Sequence, residues 1–138
     1  MEKYIIAKEI KTFYVAATSF PAGILQAHKT LHSLLPATMG RKFFGISFPG
    51  KDGAIVYRAA VEESFSGEAE KYNCETFIIG KGTYISETVK DFMKDTTLVA
   101  TTFQRLLAHP DLDKNGYCVE IYPNEKDITC LVKLNTDD

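Results

Sequence analysis

The sequence predicts an α+β fold, an antiparallel sheet with two helices packed on one face and a central cleft. Short β-branched runs bounded by turn residues indicate strands, and two stretches with apolar residues at helical spacing indicate helices. These elements occur twice in one order, strand–helix–strand–strand, at about residues 10–63 and about residues 72–135. The repeat fills the chain, so residues 1–138 are expected to form a single domain.

The first half supplies its elements in a clear order. Residues 10–18 are rich in β-branched and aromatic side chains, which favours a strand. Ser19 and Pro21 are typical of a helix start, and the helical pattern that follows ends at Pro36. Strand-like runs at residues 42–48 and 54–62 flank a turn rich in Pro, Gly and Asp, which predicts a hairpin.

The second half repeats this order after a polar connector at residues 64–71. Residues 76–89 are predicted to be extended, with a break at residues 80–82. A helix is predicted to start at Thr96 or Thr97, with one of them as its cap, and to end at Pro110. A second hairpin is predicted from strands at residues 117–122 and 128–134.

Composition and charge exclude several classes of protein. The chain is 45% hydrophobic and 25% charged, which is typical of a globular domain. A net charge of -2 gives no electrostatic reason to expect direct DNA binding. No apolar run approaches the roughly 20 residues that span a bilayer. The three cysteines form no C-x-x-C pair and favour reduced thiols, so a cytoplasmic location away from membranes is expected.

Glu120 is the best candidate functional residue. In residues 117–122 the apolar set containing Val119 is expected under the helix, which places Glu120 on the opposite face of the sheet. The matching place in the first repeat is Gly45, so an acid would face a missing side chain across an asymmetric cavity. The alternative is a Glu on a solvated sheet face.

A partly desolvated carboxylate in such a cleft could hold a cationic ligand or act as a general base, because burial raises its pKa. Aromatic side chains could form the walls, although each could equally be ordinary core packing. The candidates are Tyr14, Phe43, Tyr57, Tyr84 and Tyr122.

No metal or cofactor is expected. Residues 111–116 imitate the start of an EF-hand loop, but its twelfth position is Tyr122 where a bidentate Glu is needed. His28 and His32 have the i, i+4 spacing that suits zinc, yet no accompanying ligand motif. The segment at residues 80–83 has the spacing of neither a phosphate loop nor a dinucleotide fingerprint.

Much of the chain resembles the GyrI-like small-molecule-binding domains, the bacterial effector-binding domains found alone or attached to AraC- and MerR-type transcription regulators. The resemblance rests on residues 75–84, 118–122 and 130–134. Residues 44–47 and 54–63 are similar to the first repeat of the GyrI-like domains. It implies two strand–helix–strand–strand modules and an aromatic-lined pocket whose acidic residue lies at Glu120. The chain has no tryptophan, unlike branches that line the pocket with one.

The resemblance favours a stand-alone binding protein over an enzyme. Its expected ligand is a cationic or amphipathic small molecule, with a link to transcription regulation or to drug or metabolite sensing, and a regulator or another protein as partner. One alternative is a small hydrolase with Glu120 as general acid/base. Another is a protein-binding inhibitor of the gyrase-inhibitor type. The repeat leaves no room for a helix-turn-helix.

Overall fold

A computed structural model describes residues 1–135 and has the predicted α+β fold, with antiparallel sheets and helices packed on them. The chain divides into two compact units. The N-terminal unit is Glu9–Ile79, and the C-terminal unit is Met1–Lys8 together with the chain from Gly80 onward. Both contain the predicted strand–helix–strand–strand order.

The N-terminal unit has four strands and two helices: β2 (Ile10–Ala16), α1 (Ile24–Leu34), β3 (Phe43–Pro49), β4 (Ile55–Glu62), α2 (Glu68–Lys71) and β5 (Glu75–Ile79). The strand order is β3-β4-β2-β5, antiparallel throughout. Helix α1 buries Ala27 and Leu31 against Phe13, Ala59 and Val61 of the sheet. The predicted first hairpin is confirmed.

Helix α1 begins at Ile24, later than the start predicted at Ser19 and Pro21. Residues 19–23 form a turn instead, in which the Gly23 amide donates to the Ser19 carbonyl at 3.1 Å. A Cβ at Gly23 would lie 2.7 Å from that carbonyl oxygen, so the turn requires glycine. The helix predicted from the apolar spacing is present, but because of this turn it starts further along the chain.

The C-terminal unit has four strands and one long helix: β1 (Glu2–Ile6), β6 (Gly82–Val89), a 3-10 turn (Phe92–Lys94), α3 (Thr97–Leu107), β7 (Cys118–Ile121) and β8 (Ile128–Lys133). The strand order is β1-β6-β8-β7, again antiparallel. Strand β1 was not predicted, because five residues with two charges give little signal. Thr96 occupies the N-cap position of α3, one of the two predicted, but its side chain makes no capping hydrogen bond; the preceding Asp95 accepts from the Thr97 amide at 3.1 Å.

The segment predicted as a polar connector contains a buried ion pair. Glu68 of α2 is 2% exposed, and the Arg41 guanidinium donates to both of its carboxylate oxygens at 2.9 and 3.1 Å. The Ser64 amide adds a third hydrogen bond at 2.8 Å. Burial alone would raise the pKa of Glu68, but the Ser64 and Arg41 interactions outweigh it and hold the pKa below 4.5.

No helix within residues 1–135 is long and apolar enough to cross a membrane.

We predict that Glu68→Gln lowers the free energy of unfolding by about 2–3 kcal/mol at pH 7, because it leaves the half-buried Arg41 without its counter-charge. The stabilisation from ionised Glu68 is fully present above pH 4.5 and is lost as the pH falls through the lower folded pKa. Urea unfolding across pH 3–7 measures both effects. Glu70→Gln, an exposed change in the same helix, is the matched control. A difference between wild type and Glu68→Gln that persists unchanged below pH 3 would contradict this account.

Candidate functional site

Glu120 lies on the same face of the C-terminal sheet as α3. It is paired with Cys130 across the β7–β8 ladder, and Cys130 belongs to the core beneath α3 together with Leu106. Its placement away from the helix was therefore predicted wrongly. Val119 on the other face is completely buried, and Cys118 and Glu120 on the α3 face are partly buried, so both faces of β7 are covered and the alternation of side chains could not show which face carries α3.

The Glu120 side chain is half-buried and hydrogen-bonded to an aromatic residue. The Tyr122 hydroxyl donates to Glu120 Oε1 at 3.0 Å. The Tyr122 ring packs against the core beneath α3, and its centroid lies 6.1 Å from that of Phe92. The main contacts of α3 are with β6 and β8, which leaves Glu120 on β7 beside the helix. The structure thus brings Glu120 and Tyr122 together as predicted site residues.

A row of three side chains crosses the sheet at this level, formed by Glu87, Cys130 and Glu120 on successive paired strands. Glu87 accepts a hydrogen bond from Arg105 of α3. Burial, and then the nearby charge of Glu120, raise the pKa of the Cys130 thiol far above its ordinary value of 9.0. Cys130 therefore stays a neutral thiol at physiological pH, which makes it a poor nucleophile.

Tyr84 points away from Glu120. Its β6 neighbour Ile85 packs beneath α3, so alternation puts Tyr84 on the opposite face, where it is completely buried. The Tyr84 hydroxyl donates to the Gly80 carbonyl at 2.7 Å and lies 3.0 Å from the Tyr117 hydroxyl. Burial and this contact with Tyr117 raise the pKa of Tyr84. Through its hydrogen bond to Gly80, Tyr84 stabilises the turn between β5 and β6.

The three candidate aromatic residues of the N-terminal unit divide between the two faces of its sheet. Phe43 and Tyr57 lie on the α1 face: Phe43 stacks on His32 at a centroid distance of 4.1 Å, and the Tyr57 hydroxyl lies 2.9 Å from His28 Nε2. Tyr14 lies on the other face and donates to the Glu75 carboxylate at 2.7 Å. Burial and this hydrogen bond raise the pKa of Tyr14, so it stays protonated.

Sequence reasoning missed Arg58, whose guanidinium is surrounded by rings on that second face. Its Cζ lies 4.3 Å from the Tyr14 ring centroid, 4.8 Å from that of Phe48 and 5.8 Å from that of Phe77. These distances permit cation–π attraction. The sequence does mark Arg58 as unusual, because it is the one charged residue in the first seven positions of β4.

The segment with a partial EF-hand pattern forms a turn, in which Asp113 Oδ1 accepts from the Asn115 amide at 2.9 Å. Within the described part of the chain, no cluster of three or more His, Cys, Asp or Glu side chains could hold a metal ion.

Two shallow polar depressions of about 420 and 600 Å³ lie at Pro110–Lys114 and around Gly67. Neither is lined by a predicted site residue.

Comparisons with known proteins define the fold. No protein-family model matches the chain, and no curated protein matches its sequence. An integron cassette protein from Vibrio cholerae is similar in structure, with a TM-score of 0.69 and 12% identity over 96% of this chain and 94% of that one. SAV2435 bound to tetraphenylphosphonium is similar with a TM-score of 0.62 and 14% identity, over 96% and 93% of the two chains.

A third similar structure is a candidate transcription regulation protein from Staphylococcus aureus MU50, with a TM-score of 0.61 and 11% identity over 98% of this chain and 97% of that one. At such low identity these likenesses show the fold alone. The chain therefore has a fold shared by a protein with a bound small molecule and by a candidate regulator, and its function has to be argued from its own residues.

We predict that His28 titrates near pH 4 in the folded protein. Burial, and then the nearby His32, lower its pKa from 6.5 to about 4. Neutral His28 therefore stabilises the fold above pH 6.5, and up to about 3 kcal/mol of that stability is lost as the pH falls from 6.5 towards 4. Proton NMR titration of the three histidines measures this, with the His28 signal assigned from its absence in His28→Gln. An apparent pKa near 6.5 for His28 would contradict the prediction.

Proposed function

We propose that this chain is a small-molecule binding protein of the GyrI-like, effector-binding type, with Glu120 as the partner for a cationic or hydrogen-bonding ligand. The observation that carries the proposal is the half-buried Glu120 side chain on the α3 face, hydrogen-bonded to Tyr122, whose ring lies 6.1 Å from that of Phe92. Under this proposal residues 1–138 form one GyrI-like domain with two repeats. The bound tetraphenylphosphonium of SAV2435 supports an organic cation as the first ligand to test.

Electrostatics favours a cation at this position. Glu120 and Glu87 flank Cys130 in one row, and Arg105 of α3 pairs with Glu87, so two carboxylates and one guanidinium lie at this level of the sheet. Attraction between unit charges about 6 Å apart amounts to about 3 kcal/mol at an effective dielectric constant near 20. Aromatic faces add roughly 0.5–2 kcal/mol for each contact with a cation.

Tyr122 is the aromatic residue that we assign to the ligand together with Glu120. Its hydroxyl orients the carboxylate, and its ring offers apolar surface beside it. The other four candidates, Tyr14, Phe43, Tyr57 and Tyr84, have contacts with Glu75, His32, His28 and Gly80 respectively. We do not assign them to the Glu120 ligand. A link to transcription regulation is supported by the candidate regulator among the similar structures.

A hydrolase that uses Glu120 as general acid/base is the second candidate function. The hydrogen bond from Tyr122 to Glu120 favours it, because it joins a proton donor to a carboxylate within 3.0 Å. The raised pKa of Cys130 argues against a thiol nucleophile at the same place. Water would then be the nucleophile.

We predict that Glu120→Gln weakens tetraphenylphosphonium binding by about tenfold or more, because the charge is lost while the amide oxygen still accepts from Tyr122. Isothermal titration calorimetry measures the binding. The melting temperature should change by no more than about 2 °C, since the substitution is nearly isosteric. Glu125→Gln is the matched control, because it removes one carboxylate from the exposed turn after β7.

Equal affinity for wild type and Glu120→Gln would overturn the assignment of Glu120. Turnover separates the two candidate functions: hydrolysis of p-nitrophenyl acetate that saturates in wild type and is lost in Glu120→Gln would favour the hydrolase. Binding of the cation without turnover supports the proposed function.

A further inference from the structure

We propose that Arg58, on the face of the N-terminal sheet away from α1, binds the carboxylate group of an aromatic acid. This site lies within the N-terminal unit and is separate from Glu120 in composition and charge. It goes beyond the proposed function, since it assigns a second ligand chemistry to a second set of residues.

The sheet register gathers an aromatic cage around Arg58. Arg58 is paired with Ala16 of β2 and Ile46 of β3, and Tyr14 and Phe48 lie two residues from these partners on the same face. Phe77 comes from β5, where it is paired with Thr12. Three rings from three strands therefore lie within 6 Å of one guanidinium.

The donors of Arg58 are not used up by the protein. Its Nε is buried and has no hydrogen-bond partner among residues 1–135. None of the four ion pairs between described residues includes Arg58. The phenylalanine rings of the cage offer no lone-pair acceptor, and the Tyr14 hydroxyl donates to Glu75. A guanidinium has five N–H donors, so the two terminal nitrogens could donate to the oxygens of a carboxylate without breaking a hydrogen bond of the fold.

A carboxylate fits this site better than a cation or a phosphate. Arg58 already places a positive charge inside the cage and repels a second one. Its fork of donors matches the two oxygens of a carboxylate, and the rings around it suit a flat aromatic body. Glu75 lies at the rim, exposed and hydrogen-bonded to Tyr14, and its negative charge opposes a doubly charged phosphate more than a singly charged carboxylate.

Benzoate is the probe for this site, with benzamide as its neutral counterpart. In heteronuclear NMR titrations of the full chain, we expect benzoate to shift the signals of Tyr14, Phe48, Arg58 and Phe77, and benzamide to bind at least about tenfold more weakly. Arg58→Gln should weaken benzoate binding by about tenfold or more. Arg105→Gln, which removes an exposed ion-paired arginine of the C-terminal unit, should leave it unchanged.

Glu75→Gln provides a second test that does not disturb the cage. Removing this exposed carboxylate should strengthen benzoate binding severalfold, because a repulsive charge at the rim is lost. Neither site uses a residue of the other, so each proposal is tested by its own variants and its own probe. The proposal is overturned if wild type does not bind benzoate, if benzamide binds equally well, or if folded Arg58→Gln binds it with wild-type affinity.

Discussion

The register of β8 between β6 and β7 is the constraint on which the candidate site depends. Ile128, Cys130 and Val132 alternate along β8 and are buried beneath α3, so every residue paired with them must share that face. Glu120 and Glu87 are the partners of Cys130 and therefore flank it. A shift by one residue would exchange these carboxylates for Val119 and Ser86 and remove the acidic row from the helix side.

That row gives the C-terminal unit its chemical character. Burial, and then the nearby charge of Glu120, raise the pKa of the Cys130 thiol, so the chemistry available there is that of carboxylates and a tyrosine hydroxyl. Arg105 pairs with Glu87, and the Tyr122 hydroxyl donates to Glu120. The N-terminal unit has the opposite character on its α1-distal face, where Arg58 supplies a cation among rings. One fold thus presents an acidic aromatic site and a basic aromatic site.

The spacing of apolar residues was sufficient to predict α1, α3 and both hairpins, because their apolar patterns are long enough to be recognised without tertiary information. It failed where a short element depends on a distant partner: β1 exists through its pairing with β6, and α2 through the Arg41–Glu68 ion pair. The choice of Glu120 and Tyr122 as neighbours follows from their i, i+2 spacing. The face of Glu120 could not be derived, since both faces of β7 are at least partly buried. The rings around Arg58 come from strands that are far apart in sequence.

The central claim is that Glu120 and Tyr122 hold a ligand beside α3. A crystal structure of the chain grown with tetraphenylphosphonium tests it most directly. We expect the cation on the α3 face of β7, with its phosphorus within about 6 Å of the Glu120 carboxylate and a phenyl ring against Tyr122 or Phe92. A cation bound away from β7, with Glu120 and Tyr122 unchanged and uncontacted, would contradict it.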